Sequence, residues 1–193
     1  MRPTPRTSIL LPALLGALLL GTGCGDSNGT PTEPMPGEGT GTLTLEMTDA
    51  PIDGVSELWV YVSGIDLKPS GSPLVRLRPP ELEAGLYDLL ELRDGLSVIL
   101  YDAGVPAVEY EFIEIELDEE RSFLVETAEP GTEVPFRIAS GKAKLAGGPF
   151  GVRRDGTTSV LFDFDAERSL RRKGNGDYLL KPVLRILRTS ETG

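Results

Sequence analysis

Apolar and polar residues alternate along most of the chain beyond residue 41. Leu43, Leu45 and Met47 alternate with Thr44, Glu46 and Thr48, and an Asp-Ala-Pro break separates them from Leu58, Val60 and Val62. A period of two puts one set of side chains on a buried face, so Thr42–Lys68 reads as strand, turn, strand with one wet side. The second run then changes parity, because Ile65 and Leu67 are odd-numbered. One extra residue must be absorbed near Ser63-Gly64, and a β-bulge does this where glycine relaxes the backbone. The same slip recurs where Val108, Tyr110 and Phe112 give way to Ile113, Ile115 and Leu117. Trp59 and Tyr61 fall opposite Val60 and are expected to pack beneath a loop.

Turn signals follow at short intervals: Pro69-Ser70-Gly71, Asp94-Gly95, Asp155-Gly156 and Gly174-Asn175-Gly176. Asp155-Gly156, between two extended runs, predicts a hairpin. Leu96–Asp102 and Ala166–Lys173 are the two stretches that read as short helices. Many short strands without a βαβ rhythm predict an all-β fold, an antiparallel β-sandwich with one or two short helices.

The first 41 residues have another character. Arg2 and Arg6 precede an apolar run, Ile9–Leu20, and then Gly21-Thr22-Gly23-Cys24. A basic start, a short apolar core and small residues describe a secretory signal peptide over 1–23, too short to span a bilayer. Small residues before the lone cysteine resemble the bacterial lipobox, although Leu20 sits one place early. Cys24 is therefore the expected site of lipidation, and Gly25 after it favours the outer membrane by the enterobacterial sorting pattern. Two or more acyl chains hold a protein stably at a membrane. Residues 24–41, rich in Gly and Pro, read as a flexible linker. The folded domain is expected over 42–188, with a disordered tail at 189–193.

Composition narrows the chemistry. The chain has no histidine and one cysteine, which removes the commonest general base and zinc ligand and rules out an internal disulfide. Net charge is −11, so nucleic acid is not an expected partner. Residues 24–136 hold 5 basic and 24 acidic residues, whereas 137–188 hold 12 and 5. Strands from the two halves are expected to lie side by side and pair these charges.

Two groups of residues are candidates for a site. Asp163, Asp165 and Glu167, joined by Asp49 and Asp53, are hard oxygen ligands suited to calcium, without the spacing of an EF-hand loop. If the strands carrying Asp163, Asp165, Lys181 and Arg185 are neighbours, these charges instead pair across the sheet. Arg168, Arg171, Arg172 and Lys173 form the densest basic cluster, a candidate dock for an anionic glycan or lipid headgroup. No catalytic residues are assigned, and calcium is the one cofactor left open.

DFDAERSL at Asp163–Leu170, LKPVLR at Leu180–Arg185 and the opening LTLEMTDAPIDGVSELWVYVSGIDL resemble a bacterial lipoprotein family, domain of unknown function 4382. The resemblance implies an exported, lipid-anchored all-β domain like the transthyretin or immunoglobulin sandwiches, and supplies no activity. The expected function is a non-enzymatic binding or structural module of the cell envelope. Its expected partners are the membrane, through Cys24, and an envelope protein or glycan. The alternative is a calcium-dependent glycan-binding domain or a carboxylate-based hydrolase.

Overall fold

The computed structural model of the chain describes residues 39–49 and 52–193. The expected signal peptide, Cys24 and the linker as far as residue 38 lie outside the described residues.

The opening alternation forms β1 (Thr40–Asp49) and β2 (Val55–Pro69). Next come β3 (Val75–Leu77), β4 (Gly85–Asp88), a 3-10 turn at Leu89–Glu91, β5 (Val98–Pro106) and the long β6 (Glu109–Glu126). β7 (Glu133–Ile138), β8 (Lys142–Ala146), β9 (Phe150–Gly151) and β10 (Thr157–Phe164) follow. A one-turn helix α1 (Ala166–Ser169) leads to β11 (Leu170–Arg172), β12 (Tyr178–Leu180) and β13 (Leu184–Thr192).

Among the described residues these strands join one large mixed sheet. One arm runs β5-β1-β10-β13, and the other is built on β2 and β6, which carry β3, β4, β7 and β9. β8 belongs to both arms. Its residues Lys142–Lys144 pair with β6, while Leu145 and Ala146 pair with β13. The inward residues of the two arms, among them Leu45, Phe162, Val60 and Ile115, share one hydrophobic core. Each such side chain contributes roughly 1.5–3 kcal/mol by leaving water.

The expected alternation is present: Leu43, Leu45 and Met47 are buried, and the residues between them are half-exposed. Register shifts occur at Val62/Gly64 and at Lys68/Pro69 opposite Phe112 and Tyr110, where the sequence changes parity. A third, opposite Trp59 and Tyr61, throws out Glu119–Ser122 as a bulge within β6. Trp59 stacks on Phe123, and the Arg121 guanidinium from this bulge covers the Tyr61 ring.

Several expectations are corrected. The sheet is mixed, not antiparallel, since β1–β10, β12–β7 and β13–β8 pair in parallel. Long intervening chain supplies the crossover that a parallel pair requires. Asp155, at φ 58°, does turn the chain, but β9 pairs with β6 and β10 with β1 and β13, so no hairpin forms there. Leu96–Asp102 is largely strand, and only Ala166–Ser169 of the second candidate is helical. The chain from Tyr178 to Thr192 is not one strand: it breaks at Lys181-Pro182-Val183, where Pro182 has no donor for the ladder. β1 starts at Thr40, within the expected linker, and β13 runs to Thr192, through the expected disordered tail.

Candidate functional site

The most concentrated charge cluster was not singled out by the sequence. Asp66 of β2 has no exposed surface, and it meets both Arg78 (3.0 Å) and Lys142 (2.7 Å). The same two cations hold Glu116 of β6, at 2.7 and 2.5 Å, so two acids and two bases close a ring. Arg78 also donates to the carbonyls of Ile65 and Leu77. Burial alone would push the Asp66 carboxyl up. Hydrogen bonds from Lys142 and Arg78, reinforced by their charges, outweigh it and hold the carboxyl below its ordinary value. Hydrogen bonds to Asp66 and Glu116 push the Lys142 ammonium up. Ser140 donates to the carbonyl of Lys142 while the amine is held in this ring, so the two do not form a nucleophile pair. The ring ties β2, β6 and β8 together and is structural in character.

The five calcium candidates do not converge. Asp163 lies directly opposite Arg185 in the β10–β13 ladder and pairs with it at 3.0 Å, the cross-strand alternative. Asp165 caps α1 by accepting from the Arg168 amide, and also meets the Arg168 guanidinium. Asp49 accepts from the Ala166 amide at 3.0 Å. Glu167 is exposed on α1. Asp53 lines a different hollow from Asp49 and Asp163. Among the described residues no three acidic or cysteine side chains are grouped to hold a metal ion.

The four basic candidates point to different partners. Arg168 turns back to Asp165, and Arg171 donates to the carbonyls of Glu167 and Leu170. Arg172 reaches Glu126 at 3.6 Å and lies over the Tyr178 ring. Lys173 sits in the turn between β11 and β12, its amide bonded to Asp177. They form no common anion cradle, because α1 and β11 send successive side chains in different directions. The charge halves are partly joined, through Arg137–Glu119, Lys142–Asp66, Lys142–Glu116 and Arg172–Glu126.

One candidate from each group does meet at the end of β6. Asp53, Val55, Glu126, Arg172 and Tyr178 line one hollow of about 580 Å³, together with the aliphatic Ile52 and Leu170. The Tyr178 hydroxyl donates to Glu126 at 2.9 Å, and burial together with this bond pushes the phenol up. The arrangement offers hydrogen-bond donors and acceptors above an apolar surface, which is the make-up of a binding hollow.

Fold and hollow together define a nearly all-β domain built on one large mixed sheet. The family described as Domain of unknown function (DUF4382) matches residues 40–182, and the chain belongs to that family. Neither a curated relative nor a solved structure matches the chain.

Proposed function

We propose that the chain is a non-enzymatic binding or structural module of the bacterial cell envelope, held at a membrane through acylated Cys24. The two arms of the sheet are then the layers of a sandwich, presented on the linker that follows the anchor. The observation that carries the non-enzymatic reading is how the clustered carboxylates are engaged. Asp66 is held by Arg78 and Lys142, Asp163 by Arg185, Asp165 by Arg168, and Glu126 by Tyr178 and Arg172. Carboxylates committed to structural cations are poorly placed for the paired acid and base work of a hydrolase.

The anchor is tested by fractionating cells that express the full chain or its Cys24→Ser variant. The full chain should sediment with membranes and the variant should be released; a variant that still sediments disproves the anchor. The non-enzymatic reading is tested separately with chromogenic glycosides. Turnover abolished by Glu126→Gln or Asp53→Asn would replace it with a carboxylate-based hydrolase.

A further inference from the structure

The outward face of the β5-β1-β10-β13 arm is a regular grid. Register sets Thr42, Thr157 and Thr192 in one row across the strands and Thr44, Ser159 and Ser190 in the next. A third row holds Glu46, Leu161 and Arg188. In each row the middle residue belongs to β10, flanked by β1 and β13. These residues are half-exposed or exposed, whereas Thr158, Val160 and Phe162 between them are buried. Strands lie about 4.8 Å apart, so Glu46 and Arg188 flank Leu161 at equal distances on either side.

We infer that this face binds a second copy of the chain, packed face to face about a two-fold axis that runs along β10. Such an axis exchanges the β1 side with the β13 side and leaves each row in place. Glu46 of one copy then faces Arg188 of the other, twice over, with Leu161 against Leu161 between the two pairs. Thr44 faces Ser190, Ser159 faces Ser159, and hydroxyls satisfy one another because each is both donor and acceptor. A contact of this kind is isologous, with one patch serving both subunits.

Three further features fit the same axis. First, the two most exposed large aliphatic side chains among the described residues, Leu96 (61%) and Leu187 (48%), both line one hollow of about 540 Å³ on this face. Leu96 belongs to the β1 side, where Thr48 Oγ1 bonds to its carbonyl at 2.7 Å and the Ser97 hydroxyl bonds to Glu46. Leu187 belongs to β13. The two-fold therefore carries Leu96 of each copy to the Leu187 side of the other. Second, the β10–β13 register slips between Leu161 and Phe162, so Arg185 and Arg188 both turn outward although strict alternation would oppose them. This gathers cations on the β13 side, across the axis from Glu46. Third, Asp163 also lies on the axis, but it is 5% exposed and its own Arg185 covers it, so the two copies do not oppose bare carboxylates there. A partner of uniform charge would be attracted on one side of the face and repelled on the other; a second copy matches both. The inference does not depend on the envelope reading.

The test measures the mass of the full chain in detergent micelles by sedimentation, alongside Glu46→Arg, Arg188→Glu and the doubly reversed chain. At about 50 µM the unmodified chain should be dimeric. Each single reversal should weaken the dimer by about tenfold or more, and the double reversal should restore it to within about threefold. A monomeric unmodified chain, a dimer indifferent to both reversals, or a double variant that stays as weak as the singles overturns the inference. Should the reversed chains fail to fold, Ser159→Cys in a Cys24→Ser background supplies an independent readout. Stacked sheets lie about 10 Å apart, so a bismaleimide of that span should link two copies through position 159. Absence of the linked dimer also overturns the inference.

Discussion

A Cβ atom placed on Gly64 would stand 2.7 Å from the Arg78 guanidinium carbon and 2.8 Å from a carboxylate oxygen of Glu116. The glycine at the bulge in β2 is thus the space in which Arg78 and Glu116 meet, beside buried Asp66. Gly64→Ala should displace that contact and lower unfolding stability by about 1–3 kcal/mol. Urea denaturation followed by circular dichroism measures it; an unchanged midpoint would mean that the ring shifts without cost.

Asp66 itself should matter more. Asp66→Asn leaves two cations facing a neutral group that has no exposed surface, and should cost about 2–4 kcal/mol. Glu116→Gln should cost less, because its side chain keeps 19% exposure. The order of the two midpoints in a denaturation series decides the point.

The same ring gives the fold a pH signature. The folded Asp66 value is depressed below 3.8, so its contribution is present above 3.8 and is lost as pH falls through the folded value. The folded Lys142 value is raised above 10.5, so its contribution is present below 10.5 and fades as pH rises through the folded value. Melting temperature against pH should show an acid limb that flattens in Asp66→Asn. An identical acid limb in the variant would assign it to other carboxylates.

Across β10 and β13, Asp163 is almost covered while Arg185 is half-exposed. Arg185→Ala should therefore destabilise more than a typical surface pair, by about 1–3 kcal/mol, because it leaves a covered carboxylate without its cation. In an Asp163→Asn background the same change should cost well under 1 kcal/mol. Equal losses in both backgrounds would deny the coupling.

Calcium should not bind at millimolar affinity or better to metal-stripped protein in titration calorimetry. The expectation follows from Asp165 capping α1 and Asp163 bonding Arg185, which commits the candidate ligands to other partners. A saturable heat abolished by Asp163→Asn would reverse it.

The pattern of apolar positions made several local features legible. Alternation from Leu43 to Met47 and the bulge at Gly64 both follow from parity. Parity tells which way a side chain faces and is silent on which strand lies alongside. The parallel match of Thr42 with Thr157 was therefore hidden, as was the separate destination of the strands on either side of Asp155. Asp66 shows the same limit. Between Ile65 and Leu67 it reads as an ordinary residue of a wet face, and only Arg78 and Lys142, distant along the chain, turn that face into a covered one. A glycine inside a strand was the one local sign that something approaches closely there. Among the site candidates, Arg172 and Asp53 were legible as charges, but Glu126 and Tyr178, which organise their hollow, were not, because neither belongs to a cluster in the sequence.

The parallel match between β1 and β10 also sets a timetable. Thr42 leaves the ribosome long before Thr157, so the first strand waits, with one of its edges open, for a neighbour from the far end of the domain. Distant pairings of this kind slow folding, because a long loop must close before any contact rewards it. Closure of this arm therefore waits until β10 has been made, after every strand of the β2–β6 arm.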